Sequence, residues 1–358
     1  MYLKSIYINN FKNFKESEFS FSERINCIIG PNGVGKTNLL DSIYYLSFCK
    51  SCFSNVDSAN IHFDEKYFAL QGTYLRNDSE TNIYHCALNK DKKKIFKKDD
   101  KQYDRLSDHI GQVPLIMITP YDILLINGGA DERRKYFDAF ISQFDNEYLV
   151  TVINFNKLLA DRNKLLKDDS NNTDTDLFSV LNERMAYFGE KIHKKRKEVL
   201  ENIIPIFSKY YSEIADNELV SISYESQLNK NNLLAMMESS FERDKIMGYT
   251  SAGTHRDDFS FTMNDVPIKN FGSQGQKKSF LLALKFTQQE FTFNKMGIKP
   301  ILLLDDLFDK LDKARVEKII GIVSSDLFGQ IFISDTDKSN LSTLFPKENA
   351  TIIDLANQ

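Results

Sequence analysis

The stretch INCIIGPNGVGKTNLLDSIYYL, residues 25–46, decides the fold class. Its first part, INCII, is an apolar run that predicts a buried strand, and NLLDSIYYL carries apolar residues at helical spacing. Between them lies GPNGVGKT, which matches the pattern G-x-x-x-x-G-K-[ST] of a phosphate-binding loop. Because the strand and the helix flank the loop in the required order, the sequence predicts a P-loop NTPase of the α/β class.

The residues of this loop are assigned to nucleotide binding. Glycines let successive backbone N–H groups point at phosphate oxygens, and the amino terminus of the following helix adds partial positive charge. Lys36 would neutralise the β- and γ-phosphates of ATP as a catalytic group, and the Thr37 hydroxyl would bind Mg²⁺. The residues predicted to contact the nucleotide are Gly30, Pro31, Asn32, Gly33, Val34, Gly35, Lys36, Thr37 and Asn38.

A second metal ligand is expected at the end of another buried strand, and KPILLLDD at residues 299–306 supplies it. Its apolar run is typical of a central parallel strand that is covered on both faces. Asp305 would bind Mg²⁺ directly or through water. Asp306 would be the catalytic group that orients or deprotonates the attacking water. The alternative is a strand followed by an ordinary acidic turn.

The pattern along the chain changes twice. Residues 1–85 read as short strands with one inserted helix, and residues 131–239 carry apolar residues at three- and four-residue spacing, broken by a polar loop, DDSNNTDTD. Strand patterns return in HRDDFSFTM, ILLLDD and QIFISD, so one sheet is expected to be built from both ends of the chain. We predict an ATPase head with a mixed sheet from residues 1–130 and 240–358, and an inserted helical lobe from residues 131–239.

Composition excludes several classes of protein. No window approaches the roughly 18 apolar residues of a membrane span, and the first residues lack the apolar block of a signal peptide, which predicts a soluble, cytoplasmic protein. Its four cysteines are expected to be reduced thiols. Cys49 and Cys52 form one CxxC with His62 nearby, too few ligands for a zinc site. The net charge of −4 predicts that any nucleic-acid surface is local.

A second turn of glycine and hydroxyl residues occurs in FGSQGQKKSF, residues 271–280. Ser273 and Gly275 precede an amphipathic helix, so they could form an anion site or an ordinary N-cap. Taken alone, the N-cap is the better interpretation. The order of motifs favours the anion site: phosphate loop, serine-glycine turn, apolar strand with two acids, then DKLD.

This order, together with GPNGVGKTN near the start, RDD at residues 256–258 and the length of 358 residues, resembles the RecF family of SMC-like ATP-binding cassette ATPases. Ser273–Gln276 stand where cassette proteins have their signature L-S-G-G-Q. The resemblance implies an ATP-dependent homodimer in which Ser273 of one copy acts catalytically on ATP held by the other. It assigns further nucleotide contacts to Ser273, Gly275, Gln276, Asp312 and Thr336.

The resemblance also implies a function. Such proteins bind double-stranded and gapped DNA, act with RecR and RecO, and promote loading of RecA in DNA repair, recombination and replication restart, with weak DNA-dependent ATP hydrolysis. The alternatives are another cassette ATPase, as in transport or defence, and a small-molecule P-loop kinase. Asp309 departs from the family pattern by replacing a small hydroxyl residue, and Asp122 is the best candidate for the position of the cassette Q-loop.

Three basic clusters are candidates for DNA contact, although a run of charges is more often a solvated face. A DNA surface of this kind would act through phosphates, because no base-reading motif is visible. The clusters comprise Lys92, Lys93, Lys94, Lys97 and Lys98 in an expected hairpin; Lys191, Lys194, Lys195, Arg196 and Lys197 on a helix; and Arg162, Lys164 and Lys167.

Overall fold

The computed structural model describes residues 1–77, 80–91, 94–168, 175–215, 218–306, 313–336 and 350–357. Strands and helices are mixed within these ranges, as the α/β prediction requires. The strands are β1 (Tyr2–Phe11), β2 (Phe14–Ser20), β3 (Ile25–Ile29), β4 (Tyr67–Asn77), β5 (Glu80–Asn89), β6 (Ile95–Lys98), β7 (Lys101–Gln102), β8 (Leu115–Ile118), β9 (Val220–Glu225), β10 (Asp258–Met263), β11 (Val266–Pro267), β12 (Ile301–Asp305), β13 (Ile331–Asp335) and β14 (Ala350–Asp354). The helices are α1 (Lys36–Phe48), α2 (Leu124–Asn127), α3 (Ala130–Ser142), α4 (Asn146–Leu166), α5 (Thr175–Ile214), α6 (Leu233–Ser239), α7 (Phe241–Met247), α8 (Ile268–Phe271), α9 (Gln274–Met296) and α10 (Lys313–Val323).

Contacts within the chain group these residues into two units. The first unit comprises Met1–Asp122, Glu213–Ala215 and Leu282–Gln358, and the second comprises Ile123–Ser212 and Asp216–Leu281. The second unit therefore extends beyond the expected bound at residue 239, and it contains strands as well as helices. The assignment of an ATPase head and an inserted lobe stays a prediction.

Five strands of the first unit form a parallel sheet in the order β14-β3-β13-β12-β8. All residues of β3, β12 and β13 are buried, because short apolar runs of this kind suit strands that are covered on both faces. Asp305 at the end of β12 pairs in register with Ser334 of β13. The carboxyl ends of the strands meet at one edge, where α/β sheets bind ligands. The strands come from both ends of the chain, as predicted.

A six-stranded antiparallel sheet, in the order β2-β1-β4-β5-β6-β7, also belongs to the first unit. Alternate residues of β1 face inward, and Ile6 and Ile8 are completely buried in a core that also holds Leu39 of α1. The predicted hairpin of the first basic cluster is confirmed where it is described: β6 and β7 pair across Asp99 and Asp100, whose φ angles are 47° and 63°. Two left-handed residues are typical of such tight turns.

The second unit contains the predicted long helices α3, α4 and α5 and a three-stranded antiparallel sheet in the order β11-β10-β9. The strand β10 comes from HRDDFSFTM, which we expected in the sheet built from both ends of the chain; that expectation is wrong. Burial alternates along β10, so only one of its faces is covered, as in an antiparallel strand. Phe259 on that face stacks on Phe137 of α3 with 3.8 Å between ring centroids.

The long helices present both buried and charged positions. Helix α4 is capped by Asp145, whose side chain accepts a hydrogen bond from the Tyr148 backbone nitrogen. Most of the predicted loop DDSNNTDTD lies outside the described residues, between the end of α4 at Leu166 and the start of α5 at Thr175. Among the helices that are described, none combines the length and the apolar character needed to cross a membrane.

Candidate nucleotide-binding site

The loop GPNGVGKT connects β3 to α1, as the sequence predicts. Its backbone passes through left-handed conformations at Gly30, Gly33 and Gly35, with φ angles of 151°, 83° and 119°. Gly35 caps α1 in a conformation that strains any residue with a side chain, and a Cβ atom there would lie 2.6 Å from the side-chain nitrogen of Asn13. The loop therefore ends at the amino terminus of a helix, an arrangement suited to binding phosphate.

Lys36 lies against the loop that precedes it. Its ammonium group donates hydrogen bonds to the carbonyl oxygens of Gly30 at 2.7 Å and Pro31 at 3.1 Å. Phosphate oxygens carry full negative charge and would be stronger acceptors than these carbonyls. The positive charge thus lies at the loop, where the sequence predicts that it neutralises phosphates.

Thr37, Asp305 and Ser334 meet at the carboxyl edge of the parallel sheet. The Thr37 hydroxyl lies 3.1 Å and 2.9 Å from the two carboxylate oxygens of Asp305. The Ser334 hydroxyl donates to Oδ1 of Asp305 at 2.7 Å. Because Thr37 and Asp305 are 268 residues apart in the chain, the register of the sheet brings the two predicted metal ligands together.

Asp305 is buried, with only 5% of its surface exposed. Burial raises its pKa above the ordinary value, the hydrogen bonds from Ser334 and Thr37 oppose that rise, and the charge of Asp306 adds to it. A buried carboxylate next to a hydroxyl oxygen is the hard oxygen ligand set that Mg²⁺ prefers, with water at its remaining positions. Thr37 and Asp305 therefore fit the predicted metal.

Asp306 follows β12 directly and is exposed. Its backbone is left-handed, with a φ of 50°, and its N–H group donates to the Ser334 hydroxyl oxygen at 3.1 Å. One serine side chain therefore contacts both acids: it donates to the Asp305 carboxylate and accepts from the Asp306 backbone. The predicted role of Asp306 in positioning water stays a prediction.

The predicted signature turn begins helix α9 in the second unit. The Ser273 hydroxyl accepts from the Gln276 backbone N–H at 3.2 Å, and the Gln276 side-chain oxygen accepts from the Ser273 N–H at 2.7 Å. This reciprocal pair is a capping box, so Ser273 is an N-cap here, which was the ordinary alternative. Ser273 is nevertheless exposed, and its predicted contact with phosphate stays a prediction.

The amide of Gln276 is also fixed from the other side. Its nitrogen donates to Glu218 at 2.8 Å, and the second carboxylate oxygen of Glu218 accepts from the hydroxyl of Tyr211, near the end of α5. Because both ends of the amide are used, its orientation is determined. The turn that the sequence assigns to ATP is therefore tied to the last part of the long helix α5.

The remaining predicted residues are Thr336, Asp312, Asp309 and Asp122. Thr336 is exposed just beyond β13, whereas Asp312 and the departing residue Asp309 lie outside the described residues. Asp122 accepts from the Thr119 backbone nitrogen at 2.7 Å and from the Lys285 ammonium at 2.8 Å. Its assignment to the Q-loop position stays a prediction.

Comparison with known proteins identifies the family. The family model described as RecF/RecN/SMC N terminal domain matches residues 2–352. The chain is 47% identical over 348 residues to the DNA replication and repair protein RecF of Bacteroides fragilis, covering 97% of this chain and 94% of that protein. The chain belongs to the RecF family. The resemblance inferred from the motifs is thereby confirmed.

Solved structures agree on the fold of this RecF-family chain. A structure of the recombination mediator protein RecF-ATP in the RecFOR pathway matches with a TM-score of 0.88 and 32% identity, covering 95% of this chain and 93% of that chain. The Smc head domain with a coiled coil and joint derived from Pyrococcus yayanosii matches with a TM-score of 0.58 and 14% identity, covering 99% and 94%. The second likeness concerns the fold alone, and together they confirm the predicted fold class.

Two residues of the site were missed in the sequence. At the end of QIFISD, the sequence analysis assigns a nucleotide contact to Thr336 and none to Ser334. The signal that could have found Ser334 is its position at the carboxyl end of a strand expected beside β12. Asn13, in the turn between β1 and β2, donates to the Val34 carbonyl at 3.0 Å and accepts from Asn38 at 2.7 Å. No motif marks Asn13.

Arg162 and Arg196, two of the basic candidates for DNA contact, are buried in ion pairs, and for these two the prediction is wrong. Arg162 is completely buried and lies 2.9 Å from Asp244. Arg196 is paired with Asp138 and Asp257 at 2.9 Å and 2.8 Å. Lys94 is paired with Asp57 at 2.7 Å. Lys191 and Lys195 also pair with acids.

The other basic candidates differ in their exposure. The exposed ones are Lys164, Lys167, Lys194 and Lys197, and the partly buried ones are Lys97 and Lys98. The structure does not describe Lys92 and Lys93.

The CxxC pair gives no support to a zinc site. Cys49 and Cys52 are free thiols, and burial raises the pKa of the Cys49 thiol to about 12. A metal would have to displace a firmly held proton from that sulfur. Within the part of the chain that the structure describes, no three His, Cys, Asp or Glu residues are grouped as metal ligands would be.

Proposed function

We propose that this RecF-family chain is an ATP-gated, DNA-binding recombination mediator. The observation that carries the proposal is the preformed contact of Thr37 with Asp305 beside a phosphate loop, in a chain that covers nearly the full length of its RecF relatives. ATP with Mg²⁺ is the ligand that suits this set of groups. The proposed place of action is the cytoplasm, on duplex or gapped DNA, with RecR and RecO as partners and RecA loading as the outcome.

The chain's own groups divide the work of hydrolysis. Backbone N–H groups of the loop and the Lys36 ammonium would bind the phosphates, and Thr37 and Asp305 would hold the metal. The bound metal would offset the charge that develops on the phosphates during transfer. Asp306, exposed at the end of β12, would orient the attacking water. An aspartate holds its carboxylate closer to the backbone than a glutamate does, which suits weak turnover.

The signature turn would act on a second copy of the chain. Ser273 is exposed, and its hydroxyl lies at the amino terminus of a 23-residue helix, where an anion is favoured. In the proposed homodimer, Ser273 and the amides around Gly275 contact the γ-phosphate on the partner subunit. The γ-phosphate then supplies contacts that exist only in the closed state, as a nucleotide switch requires.

Mixing two inactive variants tests this arrangement. Lys36→Ala removes the phosphate contact and Ser273→Arg blocks the turn, so each homodimer should be inactive. In a mixture, one of the two composite sites in a heterodimer is intact, and we expect ATP hydrolysis to return. A mixture that stays as inactive as its components contradicts action between subunits, and light scattering with and without ATP shows whether dimers form.

Titration of duplex and gapped DNA at two salt concentrations tests the DNA partner. Binding through phosphates should weaken steeply as salt rises and should strengthen when ATP is present. Lys194→Glu with Lys197→Glu should weaken it, whereas a matched exposed lysine in the other unit, Lys66→Glu, should have little effect. Affinity that is the same with and without ATP contradicts an ATP-gated clamp.

A further inference from the structure

A second concave site lies in the first unit, at the amino-terminal edge of the parallel sheet. The cavity has a volume of about 320 Å³ and is bounded by Arg24, Lys299 and Gln330, which lie next to the first residues of β3, β12 and β13. The phosphate loop follows the other end of β3. Because a five-residue strand spans roughly 17 Å, the two sites are separate.

The charges around this cavity are mostly positive. Its lining contains Arg24, Arg76 and Lys299 and a single carboxylate, that of the exposed Glu23. Burial is the main cause that lowers the pKa of the Met1 amino group; Glu23 opposes that shift, and Arg76 and Lys299 add to it. Glu23, Arg76 and Lys299 therefore all act electrostatically on the Met1 amino group, which belongs to the lining of the cavity.

Arg76 and Lys299 are half-buried and are not satisfied by the protein. Within the described ranges, neither makes an ion pair or a side-chain hydrogen bond. Arg24, in contrast, donates to the Phe328 carbonyl at 3.2 Å and lies 3.9 Å from Asp326. A guanidinium and an ammonium that have lost part of their hydration favour a bound anion, because an anion restores the lost interactions.

The same cavity also offers flat apolar surface. Tyr2 and Phe293 are part of its lining, together with Ile298. Aromatic rings of this kind stack on nucleic-acid bases irrespective of base identity. The volume lies at the lower end of the range for small-ligand sites, so it suits one nucleotide.

We propose that this cavity binds a single nucleotide, with its phosphate group between Arg76 and Lys299 and its base against Tyr2 and Phe293. The required chemistry is a phosphate monoester next to a flat ring, without a divalent metal, since Glu23 is the only carboxylate among the described residues that line the cavity. A free nucleoside monophosphate and the 5′-phosphorylated end of a DNA strand both supply it. The proposal is independent of the recombination function, because it uses none of the residues of the phosphate loop.

Calorimetric titration of the full chain with deoxycytidine monophosphate tests the proposal. The Lys36→Ala background, in EDTA, keeps the phosphate loop from contributing. We expect one site with a dissociation constant below 1 mM, of the order that two charge-assisted contacts and one stacked ring provide. Arg76→Ala with Lys299→Ala should weaken binding at least tenfold, and Glu23→Gln should strengthen it about threefold, with circular dichroism verifying that each variant is folded.

Two further arms identify the source and guard against nonspecific binding. A trinucleotide with a 5′-phosphate is compared with the same trinucleotide ending in a hydroxyl: preference for the phosphorylated form indicates a strand end, and binding of the monophosphate alone indicates a free nucleotide. Binding that Arg76→Ala with Lys299→Ala leaves unchanged overturns the proposal. So does tighter binding of a short acidic peptide, or equal competition by sulfate.

Discussion

The phosphate loop and the signature turn both combine glycine with a hydroxyl residue before a helix, but their hydroxyls have different partners. The Thr37 hydroxyl contacts the carboxylate of Asp305, 268 residues away. The Ser273 hydroxyl contacts the backbone of Gln276, three residues away. The first arrangement needs the assembled sheet, and the second needs only its own helix. A turn that is satisfied locally can stay exposed until a partner subunit presents phosphate.

The two regions also differ in the free-energy cost of desolvating their polar groups. Asp305 is buried, and burial raises its pKa, so its ionised form is held against a desolvation penalty that a bound cation would offset. The signature turn holds neutral, hydrogen-bonded groups at the surface. We therefore expect substitutions in the first region to affect activity more than those in the second.

Lys36→Ala should have the largest effect. Removal of the only side-chain cation of the loop deprives the phosphates of a preorganised partner, and we expect ATP hydrolysis to fall about 10³-fold. Fluorescent nucleotide binding and steady-state phosphate release measure this loss. The exposed Lys66→Ala is the matched control. A similar loss of hydrolysis in that variant would show that the effect is not specific to the phosphate loop.

Asp305→Asn should lower hydrolysis about 10²-fold, because the metal loses its charged ligand. It should also raise the free energy of unfolding at neutral pH. Because the pKa of this acid is raised in the folded state, its ionised form destabilises the fold at a pH above the raised pKa. This destabilisation disappears as the pH falls below the ordinary pKa of an aspartate. The stability gain of the variant should therefore be larger at pH 7 than at pH 4 in urea unfolding, and a gain that grows toward low pH would contradict this account.

Ser273→Ala and Ser273→Asp separate capping from contact with phosphate. Alanine removes the N-cap and should cost about 1 kcal/mol of stability, whereas aspartate is as good an N-cap as serine but repels a phosphate. If the hydroxyl contacts the γ-phosphate, both variants should lose about 30-fold in hydrolysis. Full activity of Ser273→Asp would show that this residue only caps its helix.

Gln276→Glu should have the smallest effect. Glutamate keeps the oxygen that accepts from the Ser273 N–H, since both residue types form capping boxes, but it loses the nitrogen that donates to Glu218. We expect a two- to fivefold decrease in hydrolysis and a moderate loss of stability, because the new carboxylate would face that of Glu218. Gln276→Ala, which loses both contacts, is the reference, and equal activity of wild type and Gln276→Glu would exclude a role for the contact with Glu218.

The parts of the site that were predicted from the sequence are those with local signals. The loop and Asp305 follow from apolar runs that end in characteristic residues, so the same local signals predict both the strands and the candidate metal ligands. Ser334 and Asn13 were not found, because their contacts depend on sheet register and on a turn far away in the chain. The family resemblance supplied the signature turn, whose local sequence alone favours a simple N-cap.

For the basic clusters, the sequence signal was clear but did not reveal which residues are buried. A charged residue in a helical run does not reveal which side of the helix is covered, and the acidic partner lies elsewhere in the chain. Arg162 pairs with Asp244, which is 82 residues away, and Arg196 pairs with Asp257, which is 61 residues away. Removal of one partner from such a buried pair typically costs about 3 to 5 kcal/mol, because the remaining charge is left buried without a partner.

The left-handed backbone of Asp306 bears on how this position could change during evolution. Among residues with a side chain, aspartate and asparagine adopt that conformation most readily, and longer or branched residues pay more for it. A lineage that acquired glutamate here, to bring the carboxylate nearer to the water, would also have to reshape the end of β12. The identity of the acid proposed to orient the water is thus coupled to the path of the main chain.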